Sequence, residues 1–193
     1  MKNGRFISGM MMAVALGFGV APLLRAEEPS SDTAPRRLTP VQLTLCVPIQ
    51  AAPEDWDVAG LRLNLVVARN HDVWGLDFGV LNLSTGRQAG VQVGFAANEV
   101  EGNMYGIQAA ILVNEVETGK MYGVQVGGIN YVSDAAGLQV GLLGNSARNH
   151  MQGMQIGLFN HANHLQGMQI GLLNINRSAP WPILPLLNLG FAD

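Results

Sequence analysis

Apolar and polar residues alternate in a short unit that recurs along most of the chain. Residues 137–142 read Gly, Leu, Gln, Val, Gly, Leu, and the same order returns with other apolar residues from Gly153 and from Gly167. Successive residues of a strand point to opposite faces, so the apolar side chains share one face and glycine and glutamine share the other. The pattern predicts a β-strand in each copy, and its two glycines disfavour a helix.

The copies follow one another at intervals of 14 to 17 residues. They begin at eight lead glycines: Gly60, Gly75, Gly90, Gly106, Gly123, Gly137, Gly153 and Gly167. A unit this short cannot bury its own apolar face, so the copies are expected to pack on one another. The polar linkers between them suit turns, and their one or two apolar residues could turn inward.

Two all-β architectures fit a strand in every repeat: a β-solenoid of about eight coils, and an up-and-down outer-membrane β-barrel. In a barrel, successive linkers lie at opposite ends, so similar linkers should be two repeats apart. Here they are adjacent: residues 98–101 and 114–117 both read Asn, Glu, Val, Glu. Aromatic residues, at 6%, are also too few for the two girdles of a membrane barrel. The sequence therefore favours a single-domain β-solenoid with N- and C-terminal caps.

Stacked coils would align the amide side chains of successive repeats. One column contains Gln92, Gln108, Gln125, Gln139, Gln155 and Gln169, and a second contains Asn82, Asn98, Asn114, Asn130, Asn145, Asn160 and Asn174. Stacked amides hydrogen-bond along a parallel column. We expect two such ladders, a narrow core filled by the apolar column, and glycines that permit close approach of neighbouring strands.

The segments outside the repeats have different compositions. Residues 1–26 have basic residues, an apolar stretch and a plausible cleavage site, which predicts a signal peptide. Residues 27–40 are rich in Pro, Ser, Thr and charge and read as a flexible lead-in. Residues 41–59 are predicted as an N-terminal strand and cap, 60–179 as the repeat solenoid, and 180–193 as a Pro-rich C-terminal cap that discourages further stacking.

Charge and cysteine content narrow the class of protein. The leader contains three of the 11 basic residues and none of the 14 acidic ones, so the mature chain has a net charge of −6. A nucleic-acid partner is therefore not expected. Cys46 is the only cysteine, which excludes an internal disulfide, and its alternating surroundings indicate a small buried side chain.

The repeat unit resembles that of a family of bacterial exported surface-repeat proteins. The resemblance includes the entry segment, residues 53–65, and the exit segment, residues 182–191, and so covers most of the mature chain. It implies export and a place at or near the cell envelope, in the periplasm, at the cell surface or in the outer membrane. It implies no activity that can be assigned to particular residues.

Two groups of side chains are candidate metal ligands, although no cofactor is expected. His150 and His164 occupy equivalent positions in adjacent repeats, so a solenoid would place them about 5 Å apart, a spacing that could hold Zn²⁺. The carboxylates of Glu99, Glu101, Glu115 and Glu117 align in the same way, and Ca²⁺ would relieve their repulsion. An exposed histidine pair and a solvated acidic face are the alternatives.

The leading functional hypothesis is a non-enzymatic exported envelope protein that acts as a structural or interaction module. Its partner would be an envelope or surface component, and membrane association stays open. A small outer-membrane β-barrel protein is the second hypothesis. A metal-dependent or carbohydrate-active β-helix enzyme is the third, and the short, regular linkers offer it neither long loops nor an aromatic groove.

Overall fold

A computed structural model describes residues 36–191 of the chain. The eight strands of its single sheet are β1 (Leu38–Cys46), β2 (Ile49–Gln50), β3 (Asp57–Asn64), β4 (Val67–Asn70), β5 (Val73–Ser84), β6 (Gln88–Val100), β7 (Met104–Asn176) and β8 (Ile183–Gly190). The predicted signal peptide and residues 27–35 of the predicted lead-in lie outside the described residues, and residues 38–40 of that lead-in belong to β1. Within residues 36–191 no helix could cross a membrane.

Strands of successive repeats pair in parallel and in register. Gly60 lies opposite Gly75, Gly75 opposite Gly90, and Gly90 opposite Gly106. A straight strand as long as the 73-residue β7 would extend about 240 Å. Instead β7 winds, because side chains 14 to 17 residues apart are hydrogen-bonded along it. The predicted β-solenoid is confirmed, and the up-and-down barrel, which needs antiparallel neighbours, is excluded as the fold of the repeats.

The lead glycine of each repeat is required by the backbone. All eight lead glycines have φ between +118° and +146°, a region that residues with a Cβ rarely adopt. A Cβ on any of them would also lie 1.9 to 2.3 Å from a backbone carbonyl oxygen, which in seven cases belongs to the preceding lead glycine. The predicted close approach of neighbouring strands therefore occurs at this column.

The interior contains amide side chains where the sequence predicts apolar ones. Gln139 and Gln155 are fully buried, whereas the apolar residues that alternate with them point outward, and Leu142 is 76% exposed. The prediction that the apolar column fills the core is therefore wrong. Alternation defines two faces of a strand without deciding which is inside. Amides can be buried here because each donates to and accepts from its neighbours in the stack.

Two amide ladders run through the interior, as predicted, with opposite donor directions. Each glutamine Nε2 donates to the Oε1 of the preceding repeat at 2.7 to 2.9 Å. Each asparagine Nδ2 donates to the Oδ1 of the following repeat, at 2.8 to 2.9 Å from Asn82 onward. The glutamine ladder ends at a buried ion pair, in which Asp77 accepts from Gln92 at 2.8 Å and from Arg62 Nε at 2.8 Å.

The apolar core is supplied by the linkers between the repeat units. Its ten clustered residues are Val100, Met104, Val116, Met121, Val132, Ala135, Ala147, Met151, Ala162 and Leu165. These are the linker residues that the sequence suggested could turn inward. One part of the solenoid interior is thus a conventional apolar core, and the other part consists of amide ladders.

Parallel stacking stops at both ends of the described sheet. β2 pairs antiparallel with β1, and β8 pairs antiparallel with the last repeat, where Gln169 lies opposite Asn188. The proline-containing C-terminal segment therefore covers the strand edge that another coil would otherwise use.

Candidate functional site

The solenoid carries a continuous outward surface of apolar side chains, here called the apolar face. It consists of Val41, Leu43, Leu45, Leu61, Leu63, Leu65, Leu76, Phe78, Val91, Val93, Phe95, Ile107, Ala109, Ile111, Val124, Val126, Leu138, Val140, Leu142, Met154, Ile156, Leu158, Met168, Ile170, Leu172, Leu187 and Leu189. Every one of these side chains is exposed or half-buried, and none is charged. Leu158 and Leu172, for example, are 46% and 61% exposed.

The size of the apolar face is unusual for a soluble surface. It extends over ten adjacent strand segments, from β1 through the eight repeats to β8, because their outward residues are in register. At about 4.8 Å between strands and about 17 Å along each strand, its area is on the order of 800 Å². The largest apolar patch of a typical monomer is about 300–600 Å², and larger patches mark interaction sites.

The extended linker segment of each coil, which follows the repeat unit (residues 97–101 and 113–117 in two of the coils), forms a polar face on the other side of the interior. Between inward core residues it carries Glu99, Glu101, Glu115, Glu117, Tyr131, Ser133, Ser146, Arg148, His161 and Asn163. Two glutamines cross the interior and donate to the backbone of this segment: Gln155 to His161 O at 3.2 Å, and Gln169 to Ile175 O at 3.1 Å. The solenoid is therefore amphipathic, with apolar and polar faces separated by the amide interior.

Aromatic residues line one edge of the apolar face, here called the aromatic edge. Trp74, Tyr105 and Tyr122 each precede a lead glycine, and the Tyr105 and Tyr122 rings stack with centroids 5.1 Å apart. Arg87 lies over Trp74 at 5.9 Å, and Lys120 lies over Tyr122 at 5.2 Å. Amphipathic rings and cations thus mark the boundary of an otherwise uncharged surface.

Two concavities open on the apolar face. A groove of about 510 Å³ runs over four repeats between two rows of outward apolar side chains, with Gly127, Gly141, Gly157 and Gly171 beneath it. A cleft of about 700 Å³ lies at the N-terminal end, among β1, β2 and β3. Its lining includes Thr44, Gln50 and Asn64, each with a buried side-chain oxygen that has no hydrogen-bond partner. Neither concavity is lined by a titratable side chain.

The four predicted glutamates come together on the polar face. Glu99 lies directly opposite Glu115 in the register, and two residues later follow Glu101, just past the end of β6, and Glu117, within β7. Arg69 approaches Glu101 at 3.8 Å. The structure thus places the four aligned carboxylates on neighbouring coils, but no three of them have ligand atoms within 4.8 Å of one another.

Protonation and a neighbouring cation reduce repulsion within this cluster. Burial, followed by the charges of Glu115, Glu117 and Glu101, raises the pKa of Glu99 to about 8. Burial also raises the pKa of Glu115 to about 7, although Arg148, paired with it at 3.0 Å, acts in the opposite direction. The raised pKa of Glu99 and the Arg148 guanidinium therefore reduce the repulsion between the carboxylates, which is the effect that the sequence hypothesis assigned to Ca²⁺. Calcium binding stays a prediction.

The two candidate histidines also meet. The rings of His150 and His164 stack with centroids 5.0 Å apart, which agrees with the predicted separation. His150 Nδ1 lies 2.9 Å from Asp134 Oδ1, and hydrogen bonds from Asn149 and His150 lower the pKa of that carboxyl group although its burial opposes this. The sequence analysis missed Asp134, which lies 16 residues before His150 and so was detectable from the repeat spacing. Zinc binding by this pair stays a prediction.

Among the described residues, the structure brings one further set of ligand-type side chains together. Asp57, His71 and Asp72 have potential ligand atoms within 4.8 Å of one another. Their carboxylates already accept hydrogen bonds: Asp57 Oδ1 accepts from Asp72 N at 3.1 Å, and Asp72 accepts from the Arg87 backbone and guanidinium. The sequence analysis missed this set, although the 15-residue spacing of Asp57, Asp72 and Arg87 matches the repeat.

Neither a protein-family model, nor a curated protein, nor a solved structure matches this chain.

Proposed function

We propose that this protein is a non-enzymatic component of the bacterial cell envelope that uses the apolar face as an interaction surface. The observation that carries the proposal is an uncharged surface of about 800 Å² on a hydrogen-bonded sheet, which is about the area that each partner buries in a standard specific interface. Exposed leucine and phenylalanine on this scale are unfavourable in water and become favourable when covered.

The placement of chemistry on the solenoid supports a non-enzymatic role. Active sites combine a concavity with titratable groups of shifted pKa. The two concavities on the apolar face lie apart from the groups of shifted pKa. The concavities open on the apolar face and are lined without titratable side chains, whereas Glu99 and Glu115 lie on the polar face. A metal-dependent or carbohydrate-active enzyme therefore has less support.

The predicted leader supports export, and the negative net charge of the mature chain supports a partner other than nucleic acid. A net charge of −6 on the mature chain and four glutamates on the polar face do not suit a nucleic-acid partner. An apolar surface in an exported protein suits a partner that is itself part of the envelope, such as a membrane or another surface protein.

Site-specific labelling in the envelope tests whether the apolar face is covered. In a Cys46→Ser background, Leu158→Cys places one thiol on the apolar face, and Ser133→Cys places one on the polar face. Isolated envelopes are treated with a water-soluble maleimide, and each rate is compared with that of the same variant after purification. We expect protection at position 158 alone, because the partner covers only that face.

Equal labelling of both positions in the envelope, at the rates of the purified variants, would contradict an interaction through the apolar face. Cell fractionation with N-terminal sequencing tests export independently. The expected mature chain begins near Glu27, and recovery of uncleaved protein from the cytoplasm would refute the envelope assignment.

A further inference from the structure

We propose that the occupant of the apolar face is a lipid membrane, into whose interfacial region the face inserts while the polar face remains in water. This inference rests on the proposed function and names the partner of the same surface. It is carried by four features of the described residues: the hydrogen-bonded backbone of the repeats, a shallow apolar groove, the aromatic edge and the distribution of charge.

The backbone of the repeats, which carry most of the apolar face, can enter a lipid phase with its hydrogen bonds made. Unpaired N–H and C=O groups are costly in hydrocarbon. Within the repeats each strand has a hydrogen-bonded neighbour on both sides, parallel except where β8 pairs with the last repeat, so its backbone groups are satisfied along the solenoid. The side chains that would enter are the uncharged residues of the apolar face, and the internal amides lie behind them.

The shallow groove over the repeats fits an acyl chain better than it fits a peptide. The groove runs across the strands, between the row that contains Val140 and Ile156 and the row that contains Leu142 and Leu158. It spans four repeats, or about 15 Å, which accommodates much of one acyl chain. A bound peptide strand would need partners for its own backbone groups, and the groove offers none because its glycine floor is already part of the sheet.

The aromatic edge has the composition of a membrane boundary. Trp and Tyr favour the interface between water and hydrocarbon because one end of the ring system is apolar and the other is polar. Trp74, Tyr105 and Tyr122 lie along one border of the apolar face, with Arg87 and Lys120 placed over two of these rings. The Lys120 ammonium can reach lipid phosphates while its stem remains on apolar surface, whereas the Arg87 guanidinium is paired with Asp72 at 3.1 Å.

The charge distribution sets the orientation. The glutamate cluster lies on the polar face, on the far side of the amide interior, so insertion of the apolar face keeps it away from lipid phosphates. Because the apolar face itself has no charge, burial of apolar area is the driving force and anionic lipid is not required.

Fluorescence with vesicles tests the proposal on protein purified from the envelope. The environment-sensitive probe nitrobenzoxadiazole is attached to Leu158→Cys or, as the matched control, to Ser133→Cys, both with Cys46→Ser. Phosphatidylcholine vesicles are expected to shift the emission at position 158 to shorter wavelength, and brominated acyl chains to quench it. The probe at position 133 should show neither effect.

Two results would overturn the lipid assignment while leaving the proposed function standing. A shift at position 158 that needs no vesicles and grows with protein concentration would identify a second copy of the chain as the occupant. Protection of position 158 in the envelope, without a response to vesicles, would identify a protein partner. If position 158 is exposed both in the envelope and with vesicles, the proposed function fails as well.

A charge-insertion variant gives an independent measurement. Leu142→Lys with Leu172→Lys introduces two charges at the most exposed leucines of the groove rows, and should lower co-flotation with phosphatidylcholine vesicles by at least about tenfold. Ser133→Lys is the control and should leave it unchanged. Unaltered circular dichroism and unfolding midpoint establish that the variants are folded. Unchanged flotation of the double variant would overturn insertion through the apolar face. Flotation of the parent protein with anionic vesicles but not with phosphatidylcholine vesicles would overturn it as well.

Discussion

Removal of one amide from the asparagine ladder should destabilise the fold strongly, although the side chain is not apolar. Asn130 is fully buried in the middle of the ladder. Its Nδ2 donates to Val140 O at 2.9 Å and to Asn145 Oδ1 at 2.8 Å, and its Oδ1 accepts from Asn114 Nδ2 at 2.9 Å. Asn130→Ala removes all three hydrogen bonds and leaves the Asn145 oxygen without its ladder donor.

The expected loss follows from these contacts. Each lost hydrogen bond costs about 1 kcal/mol, and a buried acceptor left without a donor adds about 1–3 kcal/mol, because it lost its hydration when the chain folded. The sum is about 4–6 kcal/mol in the free energy of unfolding. A domain has about 5–15 kcal/mol in total, so a loss of this size is readily measured.

Urea unfolding followed by circular dichroism gives the free energy of unfolding of parent and variant. Asn149→Ala is the matched control, because Asn149 is exposed and makes a single side-chain hydrogen bond, to Asp134 at 3.0 Å. It should cost about 0.5 kcal/mol or less. A loss below about 1 kcal/mol for Asn130→Ala would refute the argument that the amide ladder stabilises the interior.

Three further substitutions test other parts of the fold. Gly153→Ala should lower the free energy of unfolding by at least about 3 kcal/mol, because φ is +126° and the new Cβ would lie 2.1 Å from the carbonyl oxygen of the preceding lead glycine. Thermal unfolding measures this loss, and Gln152→Ala, at an exposed neighbour, is the control that should be nearly neutral. The pKa of Glu99 is raised to about 8 in the folded state, so its contribution to stability is greatest below about pH 4.5 and is lost as pH rises through 8. Glu99→Gln should therefore weaken the pH dependence of the unfolding midpoint between pH 5 and pH 8 and raise the midpoint at pH 8. An unchanged pH dependence would refute this. Arg62→Gln should lower the free energy of unfolding by about 3–5 kcal/mol, because it leaves Asp77 buried without its cation. The double variant Arg62→Gln with Asp77→Gln extends the glutamine ladder and should recover most of this loss in urea titrations. A double variant no more stable than the single one would contradict this.

The similarity of adjacent linkers was sufficient to predict parallel stacking. In a parallel solenoid, residues one repeat apart become neighbours, so Asn98–Asn114 and Gln139–Gln155 contacts follow from the spacing alone. The same rule placed His150 beside His164 and Glu99 beside Glu115. It would also have placed Asp134 beside His150, had the spacing been applied to the linker acids.

The exposed apolar face could not be predicted in the same way. Gln139 and Leu142 lie on opposite sides of one strand, and the alternation is the same whichever side is inside. Burial scales place leucine in the core because an isolated buried amide loses its hydrogen bonds with water. That cost disappears only when each amide meets an identical neighbour at the right distance, which is a property of the stack and not of a single repeat.

The sequence by itself determined the strands, the one-repeat spacing of neighbours, the glycine column and the amide ladders, because each follows from periodicity and from the shape of a glycine or an amide. Only the tertiary structure decided which face of the strand is buried, since that depends on hydrogen bonds between coils and on the core that Val116, Met121 and the other linker residues provide. With the interior filled by amides and linker residues, the repeat's own leucines remain outside and form the surface on which the proposed function rests.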